Sequence, residues 1–138
     1  MTPAVGSVCL ATGKHAPRRL VLVFATPELD FVQVALAHSF MEFATDQDLL
    51  LSPAATGLPY LLVVQTDLVS PLLTRQLSLP LATLPLSVAH ACYPGASLAT
   101  YARGLPLQGR SDARWNWKLS ELEALHALGQ RAMRRLLD

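Results

Sequence analysis

Apolar residues fall in short runs over the first two-thirds of the chain, and Gly, Pro and polar residues separate these runs. The run 20–25 is continuous and rich in valine and leucine, a pattern typical of a strand that is buried on both faces. A second run, 31–37, follows a short turn, so residues 20–37 predict a β-hairpin. Residues 48–52 and 60–65 repeat the arrangement. Short strands at this spacing favour a small β-barrel.

The pattern changes after the fourth run. Asp67 is suited to cap a helix N-terminus, so the residues from 68 to 77 predict a short helix. Two prolines interrupt the apolar segment 77–91 and exclude a long helix, which leaves strand as the prediction. The segment 92–119 is rich in Gly, Pro, Arg and aromatic residues and predicts irregular structure.

The C-terminal segment carries the clearest helix signal. Ser120 and Glu123 have the spacing of a capping box and predict a helix over 120–138. Apolar residues at intervals of three and four form a stripe on one face of this helix, namely Leu122, Leu125, Gly129, Ala132 and Leu136. We expect the stripe to pack on the barrel or on a second subunit. The chain thus predicts a single domain over 1–138, mainly β, with its barrel over 6–91.

Composition narrows the class of protein. With 138 residues, 51% of them hydrophobic and 15% charged, the chain has too much apolar surface to stay disordered. Cys9 and Cys92 lie far apart, and we interpret both as small buried residues. No apolar segment reaches the roughly 20 residues of a membrane-spanning helix, and the first residues lack a signal-peptide pattern. We therefore expect a cytoplasmic protein without a membrane segment.

Candidate chemistry concentrates in the β-rich part. The net charge of +1 argues neither for nor against a nucleic-acid partner. The sequence has no phosphate-binding loop, dinucleotide fingerprint or zinc-protease motif. A dense basic cluster precedes the strand 20–25 and consists of Lys14, His15, Arg18 and Arg19. His38 and Ser39 follow the strand 31–37, where a rigid scaffold gives way to a loop and functional side chains tend to project.

If the strands 20–25 and 31–37 are neighbours, the basic cluster and His38 lie at the same edge of the barrel. A histidine beside arginines is a competent arrangement for proton transfer at a phosphodiester. Asp46 and Asp48 form a pair of carboxylates, which we interpret as part of a solvated turn.

The order of the segments resembles the MazF/PemK family of toxins. The similarity covers about residues 6–90 and rests on the start at 6–10, the basic loop, the strands 19–24 and 31–37, and the segments 48–51, 57–59 and 63–77. The family's arginine corresponds to Arg19, and its threonine corresponds to His38 or Ser39. Leu20 stands where the family has proline, and Ser7 stands where it has aspartate.

This resemblance implies an SH3-like barrel with a short helix, usually a homodimer, and the helix signal over 120–138 adds a C-terminal α-helix to it. It also implies cleavage of single-stranded RNA by attack of a 2′-hydroxyl on the adjacent phosphate, with no metal or other cofactor. Arg19 would stabilise the charge of the phosphorane, and the cognate antitoxin would be a protein partner. We expect His38 to act as general base or acid and Ser39 as a hydrogen-bond donor, while Lys14, His15 and Arg18 hold phosphates.

Two other functions stay open from the sequence. The first is a non-catalytic SH3-like barrel that binds a protein partner through the same groove or through Trp115 and Trp117, since aromatic residues are common interface anchors. The second is a structural dimer, because the apolar content is high for a chain of this length.

Overall fold

A computed structural model describes residues 3–14 and 16–137. Within these residues the strands are β1 (Ser7–Gly13), β2 (Ala16–Ala25), β3 (Phe31–His38), β4 (Asp48–Leu51), β5 (Leu62–Leu73) and β6 (Ala82–Thr83). The α-helices are α1 (Pro53–Thr56), α2 (Leu86–His90) and α3 (Ala113–Leu137), and single 3-10 turns lie at Met41–Phe43 and Thr74–Gln76.

The strands form one antiparallel sheet in the order β4-β5-β3-β2-β1-β6, and this sheet curls into a half-barrel. The prediction of a mainly β protein with a C-terminal helix is confirmed. Both predicted hairpins are present. In the first, Val21 of β2 lies opposite Leu36 of β3, and in the second, Leu49 of β4 lies opposite Val64 of β5.

Both faces of the sheet are covered. On one face, Leu22 and Phe24 pack with α2 and the segment that follows it. On the other face, Val21 and Val23 pack with Leu125 of α3. Because successive side chains of a strand point to opposite faces, this double cover explains why the run 20–25 is apolar without alternation.

The predicted stripe of α3 makes most of the contact with the sheet. Leu125, Gly129 and Ala132 are buried, whereas Leu136 keeps 49% of its surface exposed and lies outside the contact. A β-carbon on Gly129 would collide with the Ser70 hydroxyl and the Pro71 carbonyl. The helix backbone therefore approaches β5 more closely than any residue larger than glycine allows.

The helix predicted for the residues that follow Asp67 is wrong, because β5 runs on as a strand to Leu73. Its partner β3 is long enough to pair with this whole segment, with Ala35 opposite Val69 and Phe31 opposite Leu73. An irregularity between Ala35 and Leu36 takes up the extra residues of β5. The pairing with β3 overrides the local helix signal, since strand formation depends strongly on tertiary context.

Two further boundaries differ from the prediction. Within 77–91 only β6 is a strand, and α2 follows directly after Pro85, where the missing proline N–H breaks no helical hydrogen bond. Helix α3 begins at Ala113 rather than Ser120, because Asp112 caps it by accepting the Arg114 N–H at 3.0 Å. Ser120 and Glu123 consequently lie inside the helix.

The two cysteines are buried free thiols, as predicted. Burial raises the pKa of the Cys92 thiol to about 12, which keeps it protonated. Among the described helices, none combines the length and the apolar character that crossing a membrane requires.

Candidate functional site

A pocket of about 480 Å³ opens at one end of the sheet, where β2 and β3 meet the N-terminal half of α3. This volume lies within the range of small-molecule sites. Strand β2 contributes Arg18 and Arg19, β3 contributes His38 with Ser39 just after it, and α3 contributes Trp117 and Glu121.

The register of the sheet brings the first two groups together. Leu20 lies opposite Ala37, so one step further along the hairpin Arg19 lies beside His38 on the face that α3 covers. Directly opposed residues of antiparallel strands have β-carbons about 5 Å apart. Arg18, Arg19, His38 and Ser39 thus line one pocket, and their catalytic or RNA-binding roles stay predictions.

Of the two remaining candidates, Lys14 and His15, the structure describes only Lys14. Lys14 lines a separate pocket of about 650 Å³, between the β1–β2 turn and the C-terminal half of α3, together with Arg75 and Arg131. His15 lies outside the described residues. The basic loop is therefore divided, with Arg18 and Arg19 at the first pocket and Lys14 at the second.

The guanidinium of Arg19 is held from α3. Its Nε donates to Glu121 Oε2 at 3.0 Å, and the two side chains are 26% and 21% exposed. A partly exposed ion pair of this kind contributes at most about 1 kcal/mol to stability. The contact orients Arg19 at the mouth of the pocket and brings a carboxylate next to it.

The imidazole of His38 is a neutral hydrogen-bond donor. Its Nδ1 accepts the Phe40 N–H at 2.9 Å, so the proton of the neutral ring is on Nε2. Burial, with a smaller contribution from the nearby Lys118 charge, lowers the pKa of His38 to about 4. Because Nδ1 is occupied and Nε2 carries the proton, the ring is better placed to donate a hydrogen bond than to abstract a proton.

An aromatic cluster forms one wall of the pocket. Trp117 of α3 meets the His38 ring edge-on, with centroids 4.7 Å apart, and stacks on Phe43 at 4.6 Å. Phe40 stacks on His38 at 5.9 Å. The cluster keeps His38 in place and presents flat apolar surface to the pocket.

Gln65 of β5 is a pocket residue that the sequence analysis missed. It lies opposite Leu36 and is 1% exposed. Among the described residues, the buried side-chain nitrogen and oxygen atoms without a hydrogen-bond partner are Nε2 of Gln65 and Nε2 of His38. Both residues line the same pocket. The signal in the sequence was a polar residue at the end of an otherwise apolar run.

An ion cluster of two buried residues, Asp48 and Lys118, and the exposed Asp67 lies next to the pocket. Lys118 Nζ contacts Asp48 Oδ1 at 2.7 Å and Asp67 Oδ1 at 2.8 Å. Asp48 is completely buried, so its interpretation as part of a solvated turn is wrong. Burial raises the pKa of Asp48, and Lys118 opposes that rise. The cluster joins the first turns of α3 to β4 and β5.

Trp117 was predicted only as an anchor for a protein partner and Glu121 was not assigned to the site, because the predicted helix began at Ser120 and left Trp117 outside it. The spacing of Trp117, Glu121 and Leu125 by four residues places all three on one helix face, which extends the apolar stripe backwards. That periodicity was the available signal. In the part of the chain that the structure describes, no group of three or more His, Cys, Asp or Glu residues could hold a metal ion.

The chain matches no protein-family model and no curated protein. The function of the pocket is therefore inferred from the chemistry of its own side chains.

Proposed function

We propose that the chain is an endoribonuclease of the MazF/PemK kind, which binds single-stranded RNA in this pocket and cleaves it by attack of a 2′-hydroxyl on the adjacent phosphate. The observation that supports the proposal is the convergence of Arg18, Arg19, His38 and Ser39, from neighbouring strands, on one pocket. Aromatic and arginine side chains together are typical of proteins that bind single-stranded nucleic acid.

The two arginines provide the phosphate contacts. Arg18 is exposed and Arg19 is half-buried, and both line the pocket, so phosphates of the RNA backbone can bind there without being buried. A guanidinium donates two parallel hydrogen bonds to phosphate oxygens. In the transition state Arg19 stabilises the added negative charge on the phosphorane.

Proton transfer is assigned to Glu121 rather than His38. The bond from the 2′-oxygen to phosphorus forms as the bond from phosphorus to the 5′-oxygen breaks. The 2′-hydroxyl proton passes to the Glu121 carboxylate, which lies at the pocket against Arg19, and the leaving 5′-oxygen takes a proton from water. The hydroxide that remains takes the proton from Glu121, which regenerates the carboxylate and the water. His38 and Ser39 donate hydrogen bonds that hold the substrate.

Cleavage of a mixed-sequence single-stranded RNA by the purified protein tests the proposal. Arg19→Ala should lower the rate by about 10²–10⁴-fold, the loss that follows removal of a charge-stabilising donor. Arg110→Ala is the matched control, because Arg110 is an exposed arginine outside the pocket. Absence of cleavage by the wild-type protein, or equal rates in wild type and Arg19→Ala, would overturn the proposal.

We also propose that the chain forms a homodimer that presents a surface for a protein partner of the antitoxin kind. Exposed apolar side chains near the pocket support this proposal, namely Phe40, Met41, Leu79 and Leu81. Light scattering after size exclusion should give twice the monomer mass of 14.9 kDa. The double variant Leu79→Ser, Leu81→Ser should give the monomer mass. A monomeric wild-type protein at high concentration contradicts the homodimer.

A further inference from the structure

We propose that the inner end of the pocket recognises a nucleobase by its carbonyl oxygen, with Gln65 as the specificity-determining residue and His38 as the second donor. This inference rests on the proposed function, because it assigns a base-reading role to the pocket proposed to hold RNA.

The unpaired amide of Gln65 is the first observation. Buried side-chain donors are normally hydrogen-bonded, and an unpaired one destabilises the folded protein. Gln65 is 1% exposed, follows the buried Val63 and Val64 on β5, and its Nε2 has no partner. An apolar side chain of the same size would suit this strand better. A ligand that brings an acceptor into the pocket satisfies the donor.

The second observation is that the unpaired Nε2–H of His38 lies on the same face of the sheet. Leu36 is opposite Gln65, and Ala37 is opposite Val64, so His38 and Gln65 are diagonal neighbours across β3 and β5. Such positions are about 7–8 Å apart, within reach of long side chains that lean towards a common point. Two donors therefore face one pocket, and each lacks an acceptor.

The distribution of charge in the pocket indicates where the base and the phosphate bind. The two inner donors are neutral, whereas the cations Arg18 and Arg19 lie at the more exposed mouth. Burial of a phosphate charge at the neutral inner end is unfavourable, but burial of a base carbonyl that gains hydrogen bonds is not. The phosphate therefore stays at the arginines, and the base enters beside the Trp117 wall. Uracil and cytosine have a carbonyl oxygen, and adenine has none.

Binding of 2′-O-methyl hexamers of uridine, cytidine and adenosine tests this inference, since the methyl group blocks the 2′-oxygen and prevents cleavage. The wild-type protein should bind the uridine and cytidine hexamers about tenfold more tightly than the adenosine hexamer, because adenine leaves the buried donors unpaired. Gln65→Met should remove this preference. It should not lower the urea midpoint, because it replaces an unpaired donor by apolar atoms.

Gln76→Met is the matched control. The Gln76 amide is fully engaged, since Oε1 accepts the Leu73 N–H at 2.9 Å and Nε2 donates to the Leu128 carbonyl at 2.9 Å. This variant should lower the urea midpoint and keep the base preference. Comparison of the two variants thus distinguishes a glutamine that recognises a ligand from a glutamine that stabilises the fold.

The outcomes distinguish the two proposals. Equal binding of the three hexamers by the wild type, weakened for all of them by Arg19→Ala, overturns base reading and supports RNA binding in the pocket. If Gln65→Met keeps the base preference, the assignment of Gln65 and His38 as the donors is wrong. If Gln65→Met does not fold, a base preference that persists in His38→Phe leads to the same conclusion. Failure of the wild type to bind any hexamer overturns the proposed function as well.

Discussion

The two halves of α3 contact the sheet in different ways. The C-terminal half packs by apolar contact, with Leu125 and Leu128 set into the face formed by β1, β2, β3 and β5. The N-terminal half, which starts at Ala113, is attached by polar groups and by the aromatic contacts of Trp117. Arg114 donates to the carbonyls of Ala44 and Leu105, and Lys118 bridges two strands.

The two kinds of contact have different effects: one attaches α3 to the sheet, and the other sets the orientation of the helix. Apolar burial is favourable in many relative orientations, because the hydrophobic effect is not directional. Hydrogen bonds and ion pairs depend on direction and distance. The contacts of Lys118 therefore fix the rotation of the helix, and this rotation places Trp117 and Glu121 at the pocket. The apolar contacts of the C-terminal half attach the helix to the sheet. The polar contacts of the N-terminal half orient the helix and thereby form the site.

The largest effect is expected at Lys118, the centre of the polar half. Lys118→Met leaves the buried Asp48 carboxylate without its cation and should lower the free energy of unfolding by about 3–5 kcal/mol. Urea denaturation measures this change. Lys14→Met, at an exposed lysine, is the control and should change stability by less than about 0.5 kcal/mol. Similar results for the two variants would show that the contacts of Lys118 do not stabilise the N-terminal half of α3 on the sheet.

In the apolar half, Leu125→Ala should cost about 3 kcal/mol, because it leaves a cavity at a completely buried position. Leu119→Ala is the matched control on the same helix, where the leucine is 51% exposed. We expect a change below about 0.5 kcal/mol for the control. Leu125→Ala should also leave RNA binding intact, and a loss of binding by the folded variant would contradict the division between the two halves.

The pH dependence of the free energy of unfolding tests whether the His38 ring is neutral in the folded protein. Its pKa of about 4, against an ordinary 6.5, means that the unfolded chain binds a proton that the folded ring does not take up. Above pH 6.5 the ring is neutral in both states, and its contribution to stability is constant. As the pH falls from 6.5 towards 4, that contribution should be lost, by at most about 1.4 kcal/mol per pH unit.

Urea denaturation at pH 7, 6 and 5 measures this loss, and His38→Phe should reduce it. Equal pH dependence in the wild type and in His38→Phe would contradict a neutral buried imidazole.

The smallest effect on stability is expected for Glu121→Gln. The ion pair with Arg19 is partly exposed, so the free energy of unfolding should change by less than about 1 kcal/mol. Binding of a 2′-O-methyl hexamer should strengthen severalfold, because a negative charge near the phosphate is removed, whereas cleavage should slow because the proton acceptor is lost. Weaker binding together with unchanged cleavage would reverse the roles given to this residue.

Strands β2, β3 and β4, the first half of β5 and half of the site could be predicted from the sequence. The hairpin over 20–37 follows from two apolar runs around a turn, and its register brings Arg19 and His38 to one rim. Gln65 could not be assigned, because no local pattern shows that a buried amide lacks a partner. The helix expected after Asp67 failed because only the pairing with β3 decides the structure there. The carboxylate that looked like a helix cap binds Lys118 instead.

The fluorescence of Trp117 tests the central claim most directly, because this side chain forms the wall of the pocket proposed to hold RNA. In Trp115→Phe it is the one remaining tryptophan of the chain. Titration with the 2′-O-methyl uridine hexamer should quench its emission to saturation, and the quenching should be lost when Arg19→Ala is added. In Trp117→Phe, the remaining Trp115 lines a different pocket and should not respond. Quenching of Trp115 but not of Trp117, or quenching of neither, would contradict the assignment of this pocket as the RNA site.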